Sequence, residues 1–277
     1  MNWYLFFLGI AICSLARASS NISLSASQQP NPLVGFGENI IDKGQVQLLL
    51  FTDAYIGQDT YYTDLIPGIL YGIRDDLSLF FNIPFAPTNA LESHRSSGLE
   101  DISLQPEYAF YSKDTPLYLM QATVVGNVTF PTGSSKKNPP TGFAAPSFFL
   151  GSTFSYTGVT WLFSACYGGV FPLKGSDMQF GNRFLYEAAF GRNIPSPTGW
   201  IFAWIIEGSG TYAGKNTIGH EKIPNSGGNT IYLIPSFWVS TKRTLLQIGA
   251  GYPIVQHLFG KQKTDYLYLS ANFGVTF

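Results

Sequence analysis

The sequence contains few charged residues and almost no cysteine. Asp, Glu, Lys and Arg make up 12% of 277 residues, about half of the roughly 25% usual in soluble globular proteins. Lys and Arg number 16 against 17 acidic residues, a net charge of −1, so the chain lacks the basic surface that nucleic-acid binding requires. Two cysteines are too few for a disulfide scaffold or a cysteine metal cluster. Nucleic acid is therefore excluded as a partner.

Long hydrophobic runs are also missing. After Ser19 no run of about 18 apolar residues occurs, which excludes a helical membrane protein. The apolar stretch at 3–15 is too short to span a bilayer, and Ala16-Arg17-Ala18 follows it with a small-x-small pattern. We therefore predict that residues 1–18 are a cleaved signal peptide, which directs the chain out of the cytoplasm and leaves Cys166 as the only thiol.

Polar and turn-forming residues fill positions 19–43. This composition predicts a flexible N-terminal lead-in. The segment is too short to form an energy-coupling plug, but it is long enough to fold into the lumen of a barrel.

The sequence is rich in aromatic residues, at 16%, and its apolar and polar residues alternate with a period of two. In the stretch Asp101 to Phe110, for example, apolar side chains alternate with polar ones, so an extended chain has one apolar and one polar face. This periodicity predicts an all-β fold of about twelve antiparallel strands. The predicted strands are 44–55, 62–73, 77–85, 99–112, 117–131, 147–157, 159–171, 183–194, 199–213, 229–240, 244–254 and 265–277. Pro67 and Pro235 make two of these assignments the weakest, because proline donates no ladder hydrogen bond.

The links between the predicted strands alternate in length. Short turns, such as 74–76 and 195–198, alternate with longer links at 86–98, 132–146, 172–182, 214–228 and 255–264. Outer-membrane barrels have this arrangement, with short periplasmic turns and longer external loops. We predict a single antiparallel transmembrane β-barrel over residues 44–277 in the outer membrane of a Gram-negative bacterium. A secreted sandwich or a soluble barrel is the alternative.

The polar faces of the strands carry Gln, Asn, Ser and Thr but few Lys or Glu. A water-facing surface normally carries more charge, so we predict that these faces line an enclosed lumen and that the apolar faces contact lipid. The predicted lumen-lining residues, which would form a solute path, are Gln47, Asp53, Gln105, Glu107, Gln121, Asn127, Arg183, Glu187, Glu207, Gln247 and Asn272. An open lumen with this charge would favour cations or neutral solutes. A plugged lumen, in which Arg183, Glu187 and Glu207 pair with one another, is the alternative.

No catalytic or metal-binding motif stands out. His94, His220 and His257 lie in or beside predicted loops, without metal-ligand spacing. His257 near Ser270 or Asp265 is the one arrangement that resembles a hydrolase site, and nothing marks the serine as activated. We therefore predict no enzyme, no metal and no cofactor, with an outer-membrane hydrolase as a minor alternative.

The last twelve residues, Tyr266 to Phe277, alternate in polarity and end on phenylalanine. This segment resembles the closing strand of Gram-negative outer-membrane proteins, and the resemblance implies that Phe277 is read by the barrel assembly machinery. Outer-membrane lipid and lipopolysaccharide are the other expected partners.

Three segments also resemble the outer-membrane family known as the putative meta-pathway of phenol degradation. They are LIPGILYGIRDDLSLFFNIPF at 65–85, GLEDISLQPEYAFY at 98–111 and TVVGNVTFPTG at 123–133. The resemblance implies a channel for passive passage of small solutes, with hydrophobic or aromatic compounds as the implied class. A non-conducting barrel whose long loops bind a partner is the alternative function.

Overall fold

A computed structural model describes residues 24–37, 40–175 and 178–277. The predicted signal peptide, 1–18, lies outside the described residues. One short 3-10 helix, Ala26–Gln28, precedes the strands. The strands are β1 (Val46–Gly57), β2 (Thr60–Arg74), β3 (Leu77–Asn82), β4 (Phe85–Leu91), β5 (His94–Leu99), β6 (Ser103–Asp114), β7 (Tyr118–Thr129), β8 (Ser147–Gly158), β9 (Trp161–Pro172), β10 (Met178–Gln179), β11 (Arg183–Ile194), β12 (Ile201–Ala213), β13 (Thr217–Ile218), β14 (Glu221–Lys222), β15 (Gly228–Ser240), β16 (Thr244–Leu258) and β17 (Asp265–Thr276).

The described residues form a closed antiparallel barrel of twelve strands. Closure follows from the double pairing of β1, in which Gln47 lies opposite Leu70 of β2 and opposite Thr276 of β17. β3 and β4 together make one barrel strand, because both pair with β2 on either side of the break at Ile83 and Pro84. β5 and β6 likewise make the next strand. The predicted fold class is confirmed.

The strand positions follow the sequence pattern closely. β11 has the predicted bounds, and β2 and β15 form despite Pro67 and Pro235. In the strand register each proline pairs on one side only, with β1 or β12, because the register to β3 and β4 skips Pro67 and the register to β16 skips Pro235. One prediction is wrong. Residues 86–98, expected to form a long link, form most of the β4–β5 hairpin, in which Leu91 pairs with His94. β4 and β5 continue the barrel strands β3 and β6 toward the loops, and they remain paired with each other.

The apolar faces of the strands point away from the lumen. On β9, Tyr167 is 60% exposed whereas the neighbouring Cys166 is 6% exposed. The same alternation holds on β17, where Leu269 and Phe273 are exposed and Ser270 and Asn272 are buried. Side chains that the sequence assigned to lipid therefore form the outer surface, as in membrane barrels.

The two rims of the barrel differ. The turns 75–76, 115–117, 159–160, 195–200 and 241–243 lie at one rim, here called the short-turn rim, and the links 130–146, 173–182, 214–227 and 259–264 lie at the other, the long-loop rim. The first barrel strand starts, and the last ends, at the short-turn rim, where the Phe277 N–H donates to the Val46 carbonyl at 2.9 Å. A segment that precedes β1 therefore approaches the lumen from this rim.

Candidate functional site

The lumen of the barrel is occupied by the chain itself. Residues 24–37 and 40–41, here called the lumen segment, precede β1 and include the fully buried side chains of Gln28, Pro30 and Ile41. Hydrogen bonds from inward-facing side chains hold this segment from several sides: Gln28 Nε2 donates to Thr276 Oγ1 (2.8 Å), Gln47 Nε2 to the Ser27 carbonyl (3.1 Å), Ser240 Oγ to the Gln28 carbonyl (2.8 Å), Gln247 Nε2 to the Asn31 carbonyl (3.0 Å) and Asn272 Nδ2 to the Leu33 carbonyl (3.0 Å).

Glu207, on β12, makes the most concentrated contact with the lumen segment. Its Oε1 accepts the Leu33 N–H at 2.5 Å and its Oε2 accepts the Val34 N–H at 3.2 Å. Ser236 Oγ donates to the same carboxylate at 3.3 Å, and Glu207 is fully buried. An irregular segment in a barrel has no strand partner for its backbone N–H groups, so a carboxylate with two acceptor oxygens satisfies donors that would otherwise be buried unpaired.

The remaining predicted lumen residues also face inward, and several of them bond to the wall, while Glu107 and Glu187 also lie beside Gly37 and Gly35 of the lumen segment. Their contacts are Glu107 with Thr123 (2.8 Å), Asn127 with Gln105 (3.4 Å) and with Ser103 (3.2 Å), Gln121 with Ser112 (3.4 Å) and Asp53 with the Tyr268 hydroxyl (2.5 Å). Glu187 is buried on β11, two strand positions from its inward neighbour Ala189. Their role in a solute path remains a prediction.

The mutual pairing of the three charged lumen residues does not form. Arg183 lies with its guanidinium 5.7 Å from the centre of the Phe143 ring. Within the described part of the chain, the ion pairs join Arg74 to Asp76 and Lys263 to Asp59 and Glu92, so Arg183 pairs with neither glutamate. Among the described residues, the lumen segment occupies most of the lumen.

Apolar side chains inside the barrel were missed by the sequence reasoning. They form three clusters that combine wall residues with the lumen segment: Leu24 with Leu162, Ala189, Ile201, Ala203, Ile205, Trp238 and Leu245; Ile41 with Leu49, Leu70 and Phe80; and Leu33 with Ile234 and Tyr268. A signal was present, since β12 begins with six apolar residues, Ile201 to Ile206. Such a run is typical of a strand that is apolar on both faces.

A cavity of about 270 Å³ remains between the lumen segment and the wall. The lumen segment contributes Asn31, Leu33 and Phe36 to its lining. One part of the barrel wall around the cavity is apolar, with Leu49, Phe51, Ile66, Leu70 and Phe80, and another part carries the side-chain amides of Gln47, Asn82, Gln105, Gln247 and Asn272. The lining therefore suits a small molecule that has both apolar surface and a hydrogen-bonding group.

Tyrosines and carboxylates line the lumen nearer the long-loop rim. The rings of Tyr55 and Tyr268 lie 4.6 Å apart, and Tyr232 lies 6.0 Å from Tyr268. Asp53 and Asp64 occupy opposed positions on β1 and β2. At the rim itself, the hydrogen bond from Lys263 to Asp59 raises the pKa of the Lys263 ammonium and ties the link at 259–264 to the β1–β2 turn.

The hydrolase arrangement is not assembled. His257 is exposed near the end of β16, whereas Asp265 accepts the hydroxyl of Tyr232 and Ser270 faces the lumen. Over residues 24–37, 40–175 and 178–277, no group of three or more His, Cys, Asp and Glu side chains is placed to hold a metal ion. Over the same residues, no helix is long and apolar enough to cross a membrane.

Phe277, the predicted assembly signal, is 70% exposed beside the β1–β17 seam. Among the loop lysines, Lys137 reaches the Ser97 carbonyl with its Nζ. Neither position tests the predicted partners.

Comparison with known proteins identifies the fold. No family model and no curated protein matches the chain, so the resemblance to the phenol-degradation family remains a prediction. Among solved structures, the COG4313 outer membrane channel from Pseudomonas putida F1 superposes with a TM-score of 0.68 at 14% identity, covering 90% of this chain and 98% of that one. The translocator domain of the autotransporter NalP from Neisseria meningitidis gives a TM-score of 0.50 at 10% identity, covering 88% and 90%.

These similarities are similarities of fold. Together with the outward apolar faces and the closed twelve-stranded sheet, they define the chain as a β-barrel of the outer-membrane type.

Proposed function

We propose that the protein is an outer-membrane channel that admits small solutes with apolar or aromatic surface. The cavity beside the lumen segment carries this proposal, because its lining combines an apolar wall with amide side chains. The apolar part of this lining, which includes Phe51, Leu70 and Phe80, offers such a solute a nonpolar surface beside the amides. The structural similarity to an outer membrane channel supports the same class of function.

The occupied lumen favours a second candidate function. The lumen segment fills the barrel through contacts such as those of Gln28 and Leu33, so the described conformation is an occluded one. A barrel that never opens would be a scaffold whose long loops bind a partner. The two functions differ in one measurable property, because only a channel conducts when the lumen segment moves.

Ionic current in planar bilayers separates them. We expect the refolded protein to give small, intermittent currents, and we expect p-cresol, a small aromatic with one hydroxyl group, to reduce them by binding in the cavity. In Leu70→Trp the larger side chain fills the cavity, so the block by p-cresol should weaken at least about tenfold.

Leu48→Trp serves as the matched control, because Leu48 faces outward on β1 and lies 44% exposed. It should leave both the current and its block unchanged. A protein that inserts into bilayers but carries no current under any condition is a scaffold. Currents that p-cresol does not affect indicate a channel for a different class of solute.

A further inference from the structure

An arginine faces outward near the short-turn rim, between two tryptophans. Arg192 of β11 lies opposite Trp161 of β9 on one side and opposite Trp204 of β12 on the other. Its guanidinium carbon is 4.9 Å from the centre of the Trp161 ring, a cation–π distance. On β9, β11 and β12, all of which are described in full, Arg192 is the one charged residue that faces outward.

Among the described residues, the guanidinium has no anionic partner. Within the described ranges, the ion pairs involve Arg74 and Lys263 as the cations, and not Arg192. The contact with Trp161 covers one face of the guanidinium and leaves its N–H edge available, because these donors lie in the plane of the group. A positive charge on a lipid-facing surface is stable near the headgroups and costly at mid-membrane, so it needs an anion at that level.

The position of Arg192 fits the headgroup level of the membrane. It lies two residues before the end of β11, and the neighbouring turns, 159–160 and 195–200, contain no charged residue. Nearby cations at the same rim are Lys242 and Arg243, in the turn between β15 and β16. This sector of the short-turn rim is therefore positive, and its complement is an anionic headgroup.

Below the arginine, toward mid-membrane, the outer surface is aromatic and aliphatic. Phe190 lies one outward position from Arg192 and stacks with Trp161 at 5.1 Å, and Trp204 meets Phe190 edge-on at 6.0 Å. Phe163 and Ile206 lie opposite Phe190 on the flanking strands and are 43% and 44% exposed. An acyl chain that runs along this surface would begin at the guanidinium.

We propose that Arg192, Trp161 and Trp204 form a binding site for a glycerophospholipid of the periplasmic leaflet. The guanidinium donates two hydrogen bonds to the lipid phosphate, the tryptophans flank the glycerol region, and one acyl chain lies over Phe190. The site commits to a phospholipid because the short-turn rim faces the periplasm in this architecture. The proposal rests on the membrane placement in the proposed function, but not on conduction.

Native mass spectrometry of the protein in detergent tests the site with two probes, dioleoylphosphatidylglycerol and dioleoylglycerol. The second probe has the same acyl chains and no phosphate. We expect the wild type to retain one phosphatidylglycerol, and Arg192→Gln to bind it about tenfold more weakly, because a charge-assisted bidentate contact is lost. Dioleoylglycerol should bind weakly and equally to both proteins. Arg192→Lys, which keeps the charge but not the planar donor pair, should fall between them.

Lys113→Gln is the matched control, because Lys113 is a cation at the same rim whose Nζ lies 5.6 Å from the centre of the Tyr118 ring. It should bind phosphatidylglycerol like the wild type. Equal binding by wild type and Arg192→Gln overturns the site, and so does an equal loss in Lys113→Gln, which would indicate rim charge in general. Insertion of each variant into liposomes is measured first, so a failure of membrane placement is recognised separately. If Arg192→Gln does not fold, the comparison of Arg192→Lys with the wild type decides.

Discussion

At the scale of single residues, one carboxylate accepts two of the hydrogen bonds that fix the lumen segment in the barrel. Glu207 accepts two consecutive backbone N–H groups, those of Leu33 and Val34, and its position on β12 is fixed by pairing on both sides. Because the Leu33 donor is buried and the Val34 donor is partly buried, loss of an acceptor destabilises the occluded conformation by about 1–3 kcal/mol. The open conformation lacks the contact with Glu207, because water solvates the segment there, so its free energy does not change when the acceptor is lost.

We therefore predict that Glu207→Gln opens the channel more often. Glutamine keeps one acceptor oxygen but turns an NH₂ group toward the second N–H, so one donor loses its partner. The open probability in planar bilayers should rise at least about fivefold, consistent with the lower part of that energy range. Asp53→Asn is the control, because Asp53 bonds to Tyr268 of the wall. An unchanged open probability in Glu207→Gln would contradict the role given to this residue.

The sequence predicts which side chains face the lumen, but it does not predict which residues those side chains contact. Strand parity alone put Gln47, Glu207, Gln247 and Asn272 on the lumen face, and their burial agrees. Their partner could not be predicted, because the lumen segment has no periodicity and its partners lie on strands far along the chain. The burial of inward apolar residues such as Leu70 could not be predicted either, because it depends on the segment that packs against them.

At the scale of elements, the lumen segment depends on a close approach to the wall at Gly37. Gly37 has a φ of +95°, and a Cβ atom built on it would lie 2.6 Å from Thr153 Cγ2 and 2.9 Å from Val125 Cγ2. Both wall atoms belong to β-branched side chains with little freedom to move away. The segment can therefore reach β7 and β8 only with glycine at this position.

Gly37→Ala should weaken the occluded conformation and increase the ionic current. Gly44→Ala is an unusually well matched control, because Gly44 also has a positive φ, +79°, but nothing lies within 4 Å of its added Cβ. Both variants carry the backbone penalty of a non-glycine residue at positive φ, about 1 kcal/mol. Only Gly37→Ala adds a collision with the barrel wall. Equal currents in the two variants would show that the collision has no effect on occlusion.

A comparison of the strand boundaries shows where two-residue alternation predicts a strand correctly and where it does not. Alternation is clear through β11, and its bounds agree with the prediction. It is lost over 86–98, where Pro87 and the polar stretch SHRSS interrupt it. That segment still pairs as β4 and β5, and it buries the small Ala86 and the polar Asn89 on its inner face, so regular apolar alternation is not needed there.

At the scale of the whole molecule, the barrel closes along the seam between β1 and β17. The seam runs from Gln47 opposite Thr276 to Gly57 opposite Asp265, and at its end the Phe277 backbone bonds to Val46 while the ring is exposed. Removing the Phe277 ring should therefore leave the closed barrel intact. If the ring is read by the assembly machinery, as we propose, its loss affects delivery to the membrane instead.

We predict that Phe277→Ser refolds in detergent with the heat-dependent electrophoretic shift of the wild type, while its amount in outer membranes of expressing cells falls several-fold. Phe273→Ser on the same strand is the control for a lost outward phenylalanine, because Phe273 is 47% exposed. A normal amount of Phe277→Ser in the outer membrane would argue against an assembly role. Failure of Phe277→Ser to refold would indicate a structural role at the seam.

The order of the strands along the chain has one more consequence, for biogenesis. The Gln28 side chain bonds to Thr276, 248 positions away. The lumen segment can therefore form this contact only after β17 is in place. We therefore expect occlusion to follow closure of the barrel, since its docking surfaces do not exist until the cylinder is complete. A barrel that has closed but has not yet docked its lumen segment would be open from one rim to the other.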